Sequence, residues 1–391
     1  MWTKLQQRLQ ARQMHDLMRG RLTLDSPQAA EIKVNGERLL NFSSNDYLGL
    51  ANHPKMIEAV TDASKKYGVG SGASHLIIGH SHEHHVLEEE LAEFLGTEKA
   101  LLFSTGFMAN LGVLTSLFDK NDLIIQDKLN HASLIDGGLA CSAKMLRYAH
   151  NDMASLQRQL QQSADSKLMV TDGVFSMDGD LAPLTEMITL KDAYKAQLMV
   201  DDAHGFGVLG ENARGSLEHF GLSQNSCDIY MATLGKALGG FGAFVAGSAL
   251  LIESLLQFAR SYIYTTAMPP AVAAANRMGL RLVQAENERR EQLQKNIANF
   301  KALASEAGVP LMASDTPIQP VLLGRNQVAV TVAAALKAQH ILAVAIRPPT
   351  VPANQARLRI TLSAEHSQAQ IEQLVVALKT ALTNCSQEVL A

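Results

Sequence analysis

The chain has 391 residues, 47% hydrophobic and 18% charged, with a formal net charge of −4. That composition excludes a disordered chain, and 34 basic against 38 acidic residues give no electrostatic footing for nucleic acid or an anionic membrane. Cys141, Cys227 and Cys385 form no CxxC pair, which argues against zinc and a disulfide framework, and no run approaches the ~18 apolar residues of a spanning helix, so the chain reads as soluble and cytoplasmic.

Residues 1–40 read as an N-terminal arm: a basic amphipathic helix with Leu5, Leu9 and Leu17 on one stripe, then a hairpin through Asn35-Gly36. From residue 41, short apolar runs alternate with helical patterns. Strands are expected at Ala100–Ser104, Leu123–Gln126, Leu168–Thr171, Leu198–Val200 and Ile229–Thr233, with helices at Val86–Leu95, Ala109–Phe118 and Ala154–Gln162. Apolar strands separated by helices predict an α/β fold with a mostly parallel sheet covered by helices on both faces. A polar helix near Ala285–Ala307 leads into a smaller C-terminal α+β unit. Its strands are expected at Ile318–Leu323, Leu342–Ile346 and Arg357–Leu362, and its helices at Ala329–Ala338 and Gln368–Leu382. The expected organisation is an arm (1–40), a large domain (41–285) and a C-terminal domain (286–391).

Parallel sheets bind ligands at the carboxyl ends of their strands, and polar residues collect there. Lys236 follows the strand Ile229–Thr233 and precedes Gly239, Gly240 and Gly242. Alone it reads equally as a turn lysine or as a functional amine, because burial lowers a lysine's pKa towards the neutral form that Schiff-base chemistry needs. Asp201, with His204 three residues on, reads as a helix cap or ion pair, or as an anion for a cationic ring nitrogen. Gly106 and Phe107 open a helix after a strand, a generic anion site. His131 reads as a structural histidine or as a ring stacked on a planar ligand, and Ser176 offers a hydroxyl near the same rim. Together these residues place an acid, a phosphate cradle, a stacking ring and an amine along one sheet edge, the set that pyridoxal phosphate needs.

Two other signals are discounted. His80, His82, His84 and His85 have same-face helical spacing, but no cysteine or second acidic cluster lies near, and Ser81 reads as a helix N-cap, so no metal is expected. Gly68-Val-Gly-Ser-Gly72 lacks the spacing of a dinucleotide or P-loop motif.

Over nearly its whole length the chain resembles the α-oxoamine synthases, fold-type I pyridoxal-phosphate enzymes. The resemblance rests on Asn41–Leu50, Thr171–Asp180, the Asp-Asp-Ala-His-Gly of 201–205, Thr233-Leu-Gly-Lys236 and Arg347-Pro-Pro-Thr-Val-Pro352. This last segment points to the family member of biotin biosynthesis. Asp172 departs from the glutamate expected in many relatives.

The resemblance implies that Lys236 is the cofactor-bound lysine, Asp201 the partner of the ring nitrogen, and His204 and Ser176 the partners of the ring oxygen. It makes His131 the stacking ring and assigns the phosphate to Gly106, Phe107 and Thr233, helped by Thr265 of the partner subunit or Thr266 of the partner subunit in a homodimer with shared active sites. It gives Arg359 to the amino-acid carboxylate, and Asn45, His131, Arg19 (or Arg21) and Thr350 to substrate contacts. Lys236, His131, Asp201 and His204 are the catalytic set. The expected reaction condenses L-alanine with a pimeloyl thioester of coenzyme A or acyl carrier protein and releases CO₂. A sister enzyme joining glycine or another amino acid to a different acyl-CoA is the alternative. An oxidoreductase reading lacks a GxGxxG that opens a helix after the first strand, and a non-catalytic binding module leaves the acid, histidine and lysine unexplained. The glycines after Lys236 are expected to give that side chain room to swing.

Overall fold

In the computed structural model, Asn35 and Gly36 both hold positive φ (50° and 84°), as a type I′ turn requires. They join β1 (Glu31–Val34) to β2 (Glu37–Asn41) in antiparallel register. The structure describes residues 1–390, with side chains through residue 385. The N-terminal helix, Trp2–Met14, buries none of its residues and ends before Leu17, so the expected three-leucine stripe is not carried by one helix.

The chain divides into two units. One contains Met1–Gly49, Met177–Asp180 and the chain from Glu288 onward; the other contains Leu50–Ser176 and Leu181–Asn287.

The second unit holds the large sheet. Its strands are β3 (Lys99–Phe103), β4 (Leu123–Asp127), β5 (Lys144–Tyr148), β6 (Lys167–Asp172), β7 (Gln197–Asp201), β8 (Ile229–Thr233) and β9 (Ala243–Gly247), in the order β3-β9-β8-β7-β6-β4-β5. β9 runs antiparallel to β3 and β8, and every other pairing is parallel. The mostly parallel α/β expectation therefore holds. The apolar strand residues explain the arrangement: Ile124, Leu168, Val170, Met199 and Val245 are fully buried, packing with Val113 and Leu134 from neighbouring helices. Full burial of each such side chain contributes roughly 1.5–3 kcal/mol.

Two strands escape the sequence reading for opposite reasons. β5 is an edge strand whose Lys144 and Arg147 are exposed, so it shows no apolar run. β9 is buried but consists largely of Ala and Gly, and it reads as a continuation of the glycine turn before it.

The first unit carries two three-stranded sheets. β10 (Ile318–Gly324) and β12 (Val344–Ile346) flank β13 (Ala356–Thr361), while β11 (Ile341–Leu342) pairs in parallel with β2. The single strand expected at Leu342–Ile346 is thus two short strands in different sheets. In the same unit, Met177–Asp180 is anchored by an ion pair between Asp178 and the buried Arg357. The Gly179 carbonyl there accepts hydrogen bonds from Ser314 Oγ and Thr316 Oγ1, each at 3.0 Å. Among the described residues no helix is long and apolar enough to cross a membrane.

Candidate active site

Parallel register brings the carboxyl ends of β6, β7 and β8 to one edge of the large sheet, with Asp172 directly opposite Asp201 and Met231 opposite Asp201 on the other side. Seven expected residues collect at or just beyond these ends: His131 after β4, Ser176 after β6, Asp201 and His204 at β7, Thr233 and Lys236 at β8, and Gly106 after β3.

Gly106 opens the helix Gly106–Ser116, capped by Thr105, whose side chain accepts from the Met108 N–H. The first-turn N–H groups of Gly106 and Phe107 have no preceding carbonyl within the helix to bond. A Cβ on Gly106 would lie 2.9 Å from Thr233 Cγ2, tighter than real Cβ contacts, so glycine is what lets this helix start approach β8.

Asp201 is buried, and both its oxygens receive donors: Asn110 Nδ2 at 2.7 Å on Oδ2 and the Ala203 N–H at 3.1 Å on Oδ1. The neighbouring Asp202 does different work. Its Oδ2 accepts from the Ser216 N–H (2.7 Å) and the Tyr230 hydroxyl (2.9 Å), and burial pushes its pKa up to about 6. Of the two adjacent carboxylates, Asp202 ties down the Gly205–Ser216 loop.

Lys236 Nζ lies 2.9 Å from His204 Nε2, a direct pairing that spacing did not indicate. A Cβ at Gly239 would collide with the Leu50–Ala51 backbone, and one at Gly240 with the Asn276 side chain, so glycine stands there because backbone and side chains close on it.

His131 caps the helix Ala132–Ala140, its Nδ1 accepting from the Ser133 N–H, while the residue itself is exposed. Its backbone N–H donates to Asp172 Oδ2 at 2.7 Å. Burial, then the proximity of Asp201, hold the Asp172 carboxyl well above the usual carboxylate range. The aspartate at 172 thus anchors the His131 backbone. Asn130 adds to this anchor: its Oδ1 accepts from the Asp172 N–H and its Nδ2 donates to the Val170 carbonyl. Sequence reasoning missed Asn110, Asn130 and Ser133. The available signal was a polar Asn110 inside the apolar helix Gly106–Ser116, where it is fully buried.

The histidine-rich stretch forms a different group from the one its spacing indicated. His80 and His84 join His75, outside the helix, with candidate ligand atoms within 4.8 Å of one another. Both His84 nitrogens are committed, Nδ1 to the Ser81 capping box and Nε2 to the Met268 carbonyl. Burial lowers His75 to about 3 and His80 to about 4, so these are neutral, hydrogen-bonded rings.

In the other unit, Arg359 on β13 is buried, and both its Nη atoms lie 3.1 Å from Asn45 Oδ1. Two residues chosen as substrate contacts are therefore in mutual contact. Arg19 Nη2 reaches Thr350 Oγ1 at 3.5 Å, and Arg347 donates to the carbonyls of Asp16 and Met18, holding the arm beside the proline-rich segment. Arg21 is exposed.

The family model for aminotransferase class I and II matches residues 37–378. A protein of Cellvibrio japonicus named 8-amino-7-oxononanoate synthase is 57% identical over 91% of this chain and 90% of its own length. Among solved structures, serine palmitoyltransferase from S. paucimobilis with a pyridoxal phosphate–myriocin adduct aligns over 98% of both chains, with a TM-score of 0.93 and 30% identity. The 8-amino-7-oxononanoate synthase of Francisella tularensis covers 88% of this chain and 98% of its own, with a TM-score of 0.78 and 35% identity. Family model, close relatives and whole-chain fold likeness agree with the strand-end geometry, and the chain belongs to the aminotransferase class I and II family.

Proposed function

We propose that this protein condenses L-alanine with a pimeloyl thioester, using pyridoxal phosphate, to give 8-amino-7-oxononanoate, CO₂ and the free thiol carrier. The observation that carries this reading is the buried, doubly hydrogen-bonded Asp201 on the strand next to the one that feeds Lys236. A carboxylate that accepts two hydrogen bonds suits a cationic ring nitrogen, and the helix start at Gly106 suits a phosphate. The donor set fits the cofactor.

When bound, pyridoxal phosphate supplies an electron-withdrawing ring that stabilises negative charge on the carbon bearing the substrate amine. Gly106, Phe107 and Thr233 would hold the phosphate, Asp201 the ring nitrogen, His131 a ring face, and Ser176 and His204 the ring oxygen. Lys236 would carry the covalent attachment and would be the base for the alanine Cα proton, for which its amine must be neutral. Arg359 takes the alanine carboxylate through its planar fork, which selects the Cα–H bond as the one broken. Arg19 and Thr350 take the pimeloyl end. The enzyme works in the cytoplasm as a homodimer, with Thr265 of the partner subunit or Thr266 of the partner subunit completing the phosphate site.

Two measurements test this. Purified protein is expected to be yellow and to retain the label on Lys236 after borohydride reduction; colourless protein that ignores added pyridoxal phosphate would overturn the cofactor assignment. Amino acids and acyl thioesters assayed side by side are expected to favour alanine with pimeloyl thioester. Preference for glycine would move the protein to a sister activity.

A further inference from the structure

Asn110 lies one turn into the helix Gly106–Ser116 with no exposed surface. Its two amide hydrogens serve two directions: Nδ2 is 2.7 Å from Asp201 Oδ2 and 2.8 Å from Ser133 Oγ. Ser133 Oγ in turn lies 2.7 Å from His131 Nδ1. One buried amide thus joins the residue expected under the ring nitrogen to the residue expected on the ring face. We propose that Asn110 is a positioning residue for the cofactor ring, setting the orientation of Asp201 and the tautomer of His131 together.

The donor order follows from chemistry. The Asn110 amide can face Asp201 only through its nitrogen, because the flipped amide would set its carbonyl oxygen against the carboxylate. Asn110 therefore donates to Ser133 Oγ, which leaves the Ser133 hydroxyl hydrogen for His131 Nδ1. The Ser133 N–H points to the same atom at 3.3 Å. His131 Nδ1 is then an acceptor, and the ring carries its hydrogen on Nε2.

Asn110 Oδ1 is buried with no hydrogen-bond partner among the described residues. A residue chosen for packing alone would not keep an unsatisfied carbonyl, which is costly. The amide is kept for its two donors. They also divide the roles of the paired carboxylates Asp172 and Asp201: Asp201 receives a side-chain and a backbone donor, and Asp172 receives the His131 N–H.

The inference rests on the cofactor reading above, and its test separates the two. Pyridoxal phosphate binding is measured by equilibrium dialysis, and the pH midpoint of the bound cofactor's visible absorbance by titration. The proteins are wild type, Asn110→Leu, Asn110→Ser and Ser133→Ala, each checked by circular dichroism. Asn110→Leu is expected to weaken binding on the order of tenfold, about 1.4 kcal/mol, and to shift the absorbance midpoint. Asn110→Ser, which keeps one donor, should recover part of both. Ser133→Ala, which cuts only the His131 branch, should leave the midpoint near wild type while altering the histidine ¹⁵N signals that report the tautomer. Wild-type affinity and midpoint in both Asn110 variants would overturn the proposal, as would equal effects of Asn110→Leu and Ser133→Ala on the midpoint. If Asn110→Leu fails to fold, Asn110→Ser takes its place in both comparisons. Wild-type protein that binds no pyridoxal phosphate would overturn the cofactor reading and this inference with it.

Discussion

Lys236 Nζ and His204 Nε2 stand 2.9 Å apart, so the amine proposed to move a proton has an imidazole nitrogen at hydrogen-bond distance. If His204 helps hold that amine ready, His204→Gln should lower kcat by roughly 10²-fold, the scale of one acid–base partner. KM for alanine should change little, because His204 is not assigned to the carboxylate. Steady-state kinetics with purified variant protein checks this, and an unchanged kcat would remove His204 from the proton path.

Asn45 helps orient Arg359, its Oδ1 taking both Nη atoms, while Nη1 also donates to Thr361 Oγ1 at 3.3 Å. Arg359→Lys keeps the charge but loses the planar fork, and KM for alanine is expected to rise on the order of tenfold or more. Asn45→Ala should raise the same KM less and leave KM for the thioester near wild type. A rise confined to the thioester would place the pair at the acyl substrate.

The Arg19–Thr350 contact, at 3.5 Å and exposed, is too long to contribute much to stability. Arg19→Ala should therefore leave thermal unfolding unchanged while weakening the pimeloyl thioester more than alanine, on the order of tenfold. Unchanged thioester affinity would pass the role to another group, with Arg21→Ala the next variant to measure.

His366 provides a stability prediction with a definite sign. It is buried against Phe42, accepts from the Ser363 N–H through Nδ1, and pairs through Nε2 with the Asn41 carbonyl. Burial lowers its pKa to about 4, against an ordinary value of 6.5. As pH falls below about 6.5 the unfolded chain binds the proton first, so stability is lost from there down to about 4, by on the order of 3 kcal/mol. Urea midpoints measured between pH 7 and 4 should fall for wild type and fall less steeply for His366→Gln. His75 and His80, also shifted down by burial, add slope of the same sign.

The sequence by itself determined the chemistry and its approximate place. The strand Ile229–Thr233 running into Lys236 and the strand ending at Asp201 were legible because buried parallel strands are continuous apolar runs, and the candidate residue stands where the run stops. The Asn35-Gly36 hairpin was legible because its turn demands those residue types. What only the tertiary structure decided lies in contacts between residues far apart in the chain. Asn110 meets Asp201 across 91 positions and Asp172 meets His131 across 41. The antiparallel β9 is defined by its neighbours and not by its own small residues. Periodicity reports which face of an element is buried, and it carries no record of which buried polar groups will find each other. The glycines beside Lys236 show the same limit: their sequence reads as a turn, and only packing shows that Leu50–Ala51 and Asn276 leave no space for a Cβ at Gly239 and Gly240.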